Sequence, residues 1–204
     1  MKVIGITGGV GAGKSAVLSY LEEAYYARVI LADWVANKIK EPGECCYDAI
    51  VNLLGDSILM EDGFINRKRM GQMIFSDPEL LRKTNEIIHP AVKTYIIHEV
   101  NKAKEEGVSI FVIEAALLLE DNYRAICDEL WYIYTREEVR RERLKANRKY
   151  SDEYISSIME KQLSDEVFRR ECDFVIDNSD SIEYTKTQID CKMLKEKDDI
   201  DETL

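Results

Sequence analysis

The sequence predicts an α/β fold, a parallel β-sheet core wrapped by helices. Three observations carry that expectation. Short apolar runs of strand length alternate with longer stretches in which apolar residues recur at helical spacing. A glycine-rich segment, Gly8-Gly-Val-Gly-Ala-Gly13-Lys14-Ser15, lies between the first strand-like run and the first helical one. Asp33, Glu114 and Asn178 stand at or just beyond the carboxyl ends of three further runs, where ligands gather in such sheets.

Taken in order, Lys2–Thr7 is a short apolar run and reads as a buried strand. Val17, Leu18 and Leu21 then set a helical period over Lys14–Glu23, and Arg28–Leu31 reads as a second strand closed by Ala32-Asp33. Helical patterns follow from about Glu44 to Glu106, with breaks expected at Gly55, at Asp62-Gly63 and at His89-Pro90. Ser76-Asp77-Pro78-Glu79 has the chemistry of a helix start, a capping side chain followed by proline in the first turn. Ser109–Ile113 and Glu129–Tyr134 are strands, Arg136–Arg148 is a basic helix, and Ser151–Gln162 is a helix opened by capping residues. Asp173–Asp177 is the last strand, ending at Asn178-Ser179, and the charged segment Lys192–Leu204 is expected to be a frayed or disordered tail.

Composition narrows the function classes. The chain has 204 residues, enough for one domain with a small inserted subdomain, and its 46% hydrophobic and 33% charged content is that of a folded protein. A net charge of −11 argues against a nucleic-acid groove, which needs basic clusters to neutralise phosphates. Cys45, Cys46, Cys127, Cys172 and Cys191 are odd in number and lack Cys-x-x-Cys spacing, so reduced thiols in a cytoplasm are expected rather than zinc or disulfides. No signal peptide opens the chain, and no apolar stretch approaches the ~20 residues that span a bilayer.

Gly8-x-x-x-x-Gly13-Lys14-Ser15 follows a strand and opens a helix, the context in which such a loop binds phosphates. Glycines let successive backbone N–H groups turn inward around an anion, and the helix N-terminus adds its dipole. Lys14 is placed to reach β- and γ-phosphates and the Ser15 hydroxyl to ligate Mg²⁺. A chance match in a chain of this length has a probability of roughly one in a hundred from average usage. Gly11-Ala-Gly13-Lys-Ser-Ala16, with Asp33 further on, also fits the looser dinucleotide fingerprint, but a lysine and a hydroxyl have no task there, whereas Mg·ATP needs both.

Asp33 is suited to take a hydroxyl proton from a phosphoryl acceptor, or to cap the helix that follows it. Glu114 is a candidate carboxylate for a Mg²⁺-bound water, against the alternative of a solvated loop acid. His89-Pro90 reads as turn punctuation. Arg136, Arg140, Arg141, Arg143 and Arg148 either face solvent with Glu137, Glu138 and Glu142 as partners, or close one or two guanidiniums over phosphates. Arg67, Lys68, Arg69, Arg82, Lys83 and His89 present the same choice between a solvated face and an acceptor's phosphates.

With these residues in view, the chain resembles dephospho-CoA kinases from Lys2 to about Asn178. The resemblance rests on Ile4–Ser15, Val29-Ile-Leu-Ala-Asp33, Glu41-Pro-Gly43, Asp62-Gly63 with Arg67, Ile88-His-Pro90, Ala116-Leu-Leu-Leu-Glu120 and Val175-Ile-Asp-Asn-Ser179. It implies a nucleoside monophosphate kinase-like P-loop fold with a helical acceptor-binding subdomain, about residues 60–105, and a lid, about residues 140–170. The implied reaction moves the ATP γ-phosphate to the ribose 3′-hydroxyl of dephospho-CoA. Asp33 is then the general base, with Lys14 and Arg143 as the other catalytic residues. ATP lies along Gly9, Val10, Gly11, Ala12, Gly13, Lys14, Ser15 and Ala16, with Asn178 in the wall around the adenine. The acceptor touches Thr7, Asp33, Arg67, His89 and Leu117, and Ser15 and Glu114 serve Mg²⁺. A cytoplasmic monomer needing no nucleic acid, membrane or protein partner is implied. The chain departs from the family pattern at Leu31, where a second carboxylate is usual, at Asn147, where a second lid arginine is expected, at Ile158 before the lid glutamine Gln162, and at Glu114, where Asp is frequent.

From the residues alone, a kinase for another small acceptor, such as a nucleoside monophosphate or shikimate, remains open. So does a nucleotide-dependent switch, although the guanine-reading Asn-Lys-x-Asp of many switches is absent.

Overall fold

The strands fall where the apolar runs predict them. In the computed structural model, which describes residues 1–201 with side chains through Leu194, β1 (Lys2–Thr7), β2 (Arg28–Leu31), β3 (Ile110–Glu114), β4 (Glu129–Tyr134) and β5 (Phe174–Asp177) form one sheet in the order β2-β3-β1-β4-β5. β1 runs parallel to both neighbours, Ile4 opposite Val112 on one side and Ile6 opposite Trp131 on the other. β4 pairs in parallel with β5, Ile133 opposite Ile176. A central parallel strand is covered on both faces, which is why β1 reads as a nearly unbroken apolar run.

The chain forms two compact units, one of Met1–Val29 with the chain from Gly107 onward, the other of Ile30–Glu106. In the first, α1 (Lys14–Tyr25) and α9 (Ile182–Asp201) pack on each other, and Val17, Leu21, Ile189 and Met193 join Ile4, Ile6, Trp131, Ile133 and Ile176 in the core. α6 (Glu137–Arg148), α7 (Asp152–Met159) and α8 (Asp165–Glu171) also belong to this unit. Lys145 Nζ lies 2.7 Å from Asp152 Oδ1 and Arg141 Nη2 donates to Ser156 Oγ at 3.0 Å, tying α7 to α6. Phe168 of α8 stacks on Tyr132 with ring centroids 4.7 Å apart.

Two helices depart from the sequence reading. α9 continues from Lys192 to Asp201, where fraying was expected; residues 202–204 lie outside the described residues. Thr185, Ile189 and Met193 recur every four residues and are buried, and Lys192 Nζ meets Glu129 Oε1 at 2.9 Å. That sparse stripe is hidden among charges but suffices to hold the helix on the core. Unanticipated altogether is α8, a short helix opened by Ser164, whose Oγ accepts from Val167 N–H.

The second unit is helical: α2 (Ala32–Lys38), α3 (Tyr47–Leu54), α4 (Arg67–Ser76) and α5 (Pro78–Glu105), with α5 packed against the other three. The expected acceptor subdomain, about residues 60–105, lies inside it. Gly55 ends α3 and Asp62-Gly63 makes a turn, as expected. Asp77 caps α5, its Oδ1 accepting from Glu79 and Leu80 N–H at 2.9 and 3.2 Å. The break expected at His89-Pro90 does not occur, for α5 runs straight through it. Proline inside a helix costs about 3 kcal/mol. Ile88, Val92 and Ile96 are buried in one stripe across Pro90, and burying each such side chain contributes about 1.5–3 kcal/mol. The stripe wins.

Candidate phosphate-binding site

The glycine-rich loop leaves β1 at Thr7 and enters α1 at Lys14. Gly13 stands at the helix N-cap with φ 82°, a left-handed backbone that a side chain resists, and a Cβ there would run into the Asn178 amide. At Gly8 a Cβ would lie 2.6 Å from the Ile133 carbonyl oxygen, so only glycine lets the loop pass under β4. Backbone N–H groups of Lys14 and Ser15 belong to the first turn of α1 and have no acceptor within the helix, leaving them for an anion.

The loop's shape is held from outside. Ala12, itself buried, offers its carbonyl to three donors: Thr135 Oγ1 at 2.9 Å, Asn178 Nδ2 at 2.8 Å and Arg143 Nη1 at 3.5 Å. Asn178 is buried, its Oδ1 accepting from Thr185 Oγ1 at 2.8 Å and its backbone carbonyl from Arg143 Nη2 at 2.9 Å. What Asn178 touches is therefore the loop itself. At the other end Arg140 Nε donates to the Val10 carbonyl at 2.9 Å and Arg140 Nη2 to Gln162 Oε1 at 2.8 Å, while Val10 N–H donates to the same Oε1 at 3.1 Å. Thr135 and Thr185 had no role in the sequence reading. Thr135 follows directly on β4, so the strand-end rule that singled out Asn178 would have found it too.

Lys14 Nζ donates to Gly8 O at 2.8 Å and lies 3.4 Å from Glu114 Oε1, both side chains half-buried. Lys14 and Glu114 are thus brought together, with Ser15 exposed at the start of α1. A hydroxyl and one carboxylate suit Mg²⁺, which is commonly held through one or two protein oxygens and the nucleotide phosphates. Among the described residues no cluster of three or more His, Cys, Asp or Glu forms a protein-only metal cage. The Thr7 hydroxyl, last in β1, is fully buried and has no hydrogen-bond partner among the described residues, an orphan donor at the edge of the loop. Leu117 is exposed in the segment after β3.

In the helical unit, Asp33 lies in the first turn of α2 and is exposed; its side chain makes no cap, so the capping alternative drops out. Arg67 opens α4, capped by Asn66, and His89 is half-buried in the middle of α5. Lys40, which sequence reading passed over, links two of these. Burial lowers its pKa, the Arg67 charge lowers it further, and Cys46 and Asp33 pull the other way. Asp33, Lys40 and Arg67 therefore share one electrostatic neighbourhood. Arg82 takes the solvated-face reading, with Glu79 at 2.7 Å and Glu86 at 2.5 Å, and Lys83 also pairs with Glu79. All five cysteines are free.

Comparison with known proteins places nearly the whole chain in a family. A dephospho-CoA kinase of Streptococcus mutans is 36% identical over 193 residues, 94% of this chain and 96% of its own, and one of Carboxydothermus hydrogenoformans is 35% identical over 93% of this chain and 91% of its own. Among solved structures, a Thermus thermophilus protein superposes with a TM-score of 0.80 at 23% identity, covering 95% of this chain and 97% of its own. The dephospho-CoA kinase from Campylobacter jejuni gives 0.73 at 23%, covering 98% and 100%; these two likenesses speak for the fold. The family model for dephospho-CoA kinase matches residues 2–184, and the chain belongs to that family.

Proposed function

We propose that this chain transfers the γ-phosphate of ATP to the ribose 3′-hydroxyl of dephospho-CoA, the last step of coenzyme A synthesis, with the following division of labour. The loop Gly9–Ala16 cradles the phosphates with backbone N–H groups, and Lys14 exchanges its contacts with Gly8 and Glu114 for the β- and γ-phosphates. Asp33 takes the proton of the 3′-hydroxyl as it attacks, an exposed carboxylate free of any capping duty. Arg143 and Asn178 brace the loop on its nucleotide side. Thr7, Arg67, His89 and Leu117 contact the acceptor, Arg67 and Lys40 meeting its diphosphate. Ser15 and Glu114 are the residues that would hold Mg²⁺, and the ion would supply charge neutralisation to the triphosphate there. The enzyme acts as a monomer, and its five unbridged cysteines suit a reducing cytoplasm.

The observation that carries this reading is the braced phosphate loop in a chain similar to dephospho-CoA kinases over more than nine-tenths of its length. The loop itself is common to many kinases. A shikimate kinase from Acinetobacter baumannii shares the fold at a TM-score of 0.53, so the acceptor must be tested directly. ADP release should be followed with Mg·ATP and dephospho-CoA, adenosine, AMP or shikimate. Dephospho-CoA should give a kcat/KM at least roughly 10²-fold above the others, because remote contacts to the diphosphate and pantetheine position the 3′-hydroxyl. Turnover of another acceptor with dephospho-CoA at the background ATPase rate would overturn it.

A further inference from the structure

α6 carries four arginines whose side chains are committed differently. Arg141 is held by Glu137 Oε1 at 2.8 Å and by Ser156 on α7, and the ring of Tyr150 lies 6.0 Å from the Arg148 guanidinium. Arg143 sits at the Ala12–Gly13 end of the phosphate loop, against Asn178. Arg140, one turn earlier on the same face, lies at the opposite end: a Cβ on Gly9 would land on its guanidinium, and its Nε donates to the Val10 carbonyl. Among the described residues no carboxylate pairs with Arg140; its partners are the Val10 carbonyl and the neutral amide oxygen of Gln162. A half-buried cation has thus been seated on an anion-binding loop without being neutralised.

The two ends of the loop are not equivalent for a triphosphate. Lys14 Nζ, the group that reaches β- and γ-phosphates, rests on Gly8 O at 2.8 Å, next to Gly9 and Val10. On the kinase reading, Gly13 and the backbone N–H groups that open α1 lie further along the loop, toward the inner phosphates. We propose that Arg140 is a catalytic residue, its guanidinium meeting the terminal phosphate, and that Gln162 is its positioning residue. This rests on the kinase reading above. Gln162 orients the guanidinium through one oxygen that also accepts from Val10 N–H, so the segment between α7 and α8, the loop and Arg140 are locked into one triangle. Arg140 also supplies a second guanidinium on α6, where exposed Asn147 has none.

The experiment uses Arg140→Met, Gln162→Glu and Gln162→Ala in the full chain, with steady-state kinetics on Mg·ATP and dephospho-CoA, titration of ATP and ADP affinity, and thermal unfolding. Arg140→Met should lower kcat by roughly 10²–10³-fold, somewhat under the effect of arginines that meet a transferring phosphoryl in other enzymes. ADP affinity should move less than about threefold, since ADP lacks the terminal phosphate. Gln162→Glu is the sharper test. Glutamate still accepts both N–H donors, and more strongly, but neutralises the guanidinium. A latch that merely holds the helices down predicts normal kcat and equal or higher Tm, whereas the proposal predicts a kcat loss of at least about tenfold at unchanged or raised Tm, with Gln162→Ala milder because the charge survives. Wild-type kcat in Gln162→Glu, or loss of ATP and ADP binding in equal measure with kcat intact in Arg140→Met, overturns the proposal. An inactive wild type in the same assay would overturn the kinase reading instead, so the two failures are told apart.

Discussion

Replacing Asp33 by Asn separates a proton acceptor from a structural acid, and the structure sets the size of each effect. The side chain stands in the first turn of a seven-residue helix, α2, and caps nothing. Its fold contribution is then the attraction of a carboxylate for the helix N-terminus, about 0.3–1 kcal/mol before the discount for an exposed site. A second small contribution is its pull on Lys40, which the variant leaves to Cys46 against burial and the Arg67 charge. For a chain of this size 1 kcal/mol shifts Tm by about 2–4 °C, so Asp33→Asn should unfold within about 3 °C of the parent. Asn keeps the shape but cannot take a proton, and losing a general base costs ~10²–10⁴-fold in kcat. Coupled ADP-release kinetics, ATP titration and calorimetry on the same preparation read all three quantities. A variant with near-parental kcat would refute the base assignment. One that unfolds many degrees lower, with the kcat of its folded fraction unchanged, would show that Asp33 supports the fold by contacts beyond α2.

Two further expectations follow from the loop and the sheet. Gly13→Ala forces a side chain into a left-handed position, φ 82°, and against the Asn178 amide that braces Ala12. About 1–2 kcal/mol of strain should raise the KM for ATP roughly tenfold, read by initial rates, with a modest fall in Tm; an unchanged KM would mean that the bracing is idle. Glu129 tests the pH sense of the core. Burial opposes its ionisation, but the Trp131 indole N–H at 2.8 Å, Lys192 at 2.9 Å and Lys2 at 3.1 Å overcome this and hold the pKa below the usual carboxylate range. A depressed folded pKa stabilises at pH above the unfolded value, about 4.3 for Glu, and the gain is lost as pH falls through the folded value. Glu129→Gln should cost about 1 kcal/mol at pH 7 and flatten the fall of Tm below about pH 4.3, by differential scanning fluorimetry. An acid limb as steep as the parent's would exclude this network from acid unfolding.

What was legible in the sequence was local. A strand, a glycine turn and a helix N-terminus carry their own signals, so β1, the glycine loop and the start of α1 were readable, as was a cap by Ser76 or Asp77 at the start of α5. What was not legible depends on partners far along the chain. The Ala12 carbonyl is claimed by Thr135 and Asn178, more than a hundred residues away, and no pattern near Ala12 announces this. Proline at 90 is a genuine local signal for breaking a helix, and it was outvoted by burial of the Ile88, Val92 and Ile96 stripe. Lys40 was passed over because a lone lysine after a short helix has no signature until Arg67 and Asp33 are set near it.

The arginines of α6 show where the boundary lies. Positions 140, 141, 143 and 148 were equally basic in the sequence, and spacing alone offered each a glutamate partner or a phosphate. Folding sorts them by direction. Arg141 turns to Glu137 and α7, while Arg140 and Arg143, three residues apart and so on one face, turn to the loop. They reach different ends of it because the loop itself climbs from Gly8 to Gly13 beneath a single helical turn. The chemistry of α6 is therefore written in the pairing of two periods, its own and that of the glycine loop. A lysine at either position would keep the charge but lose the fork that bonds a carbonyl and an amide at once.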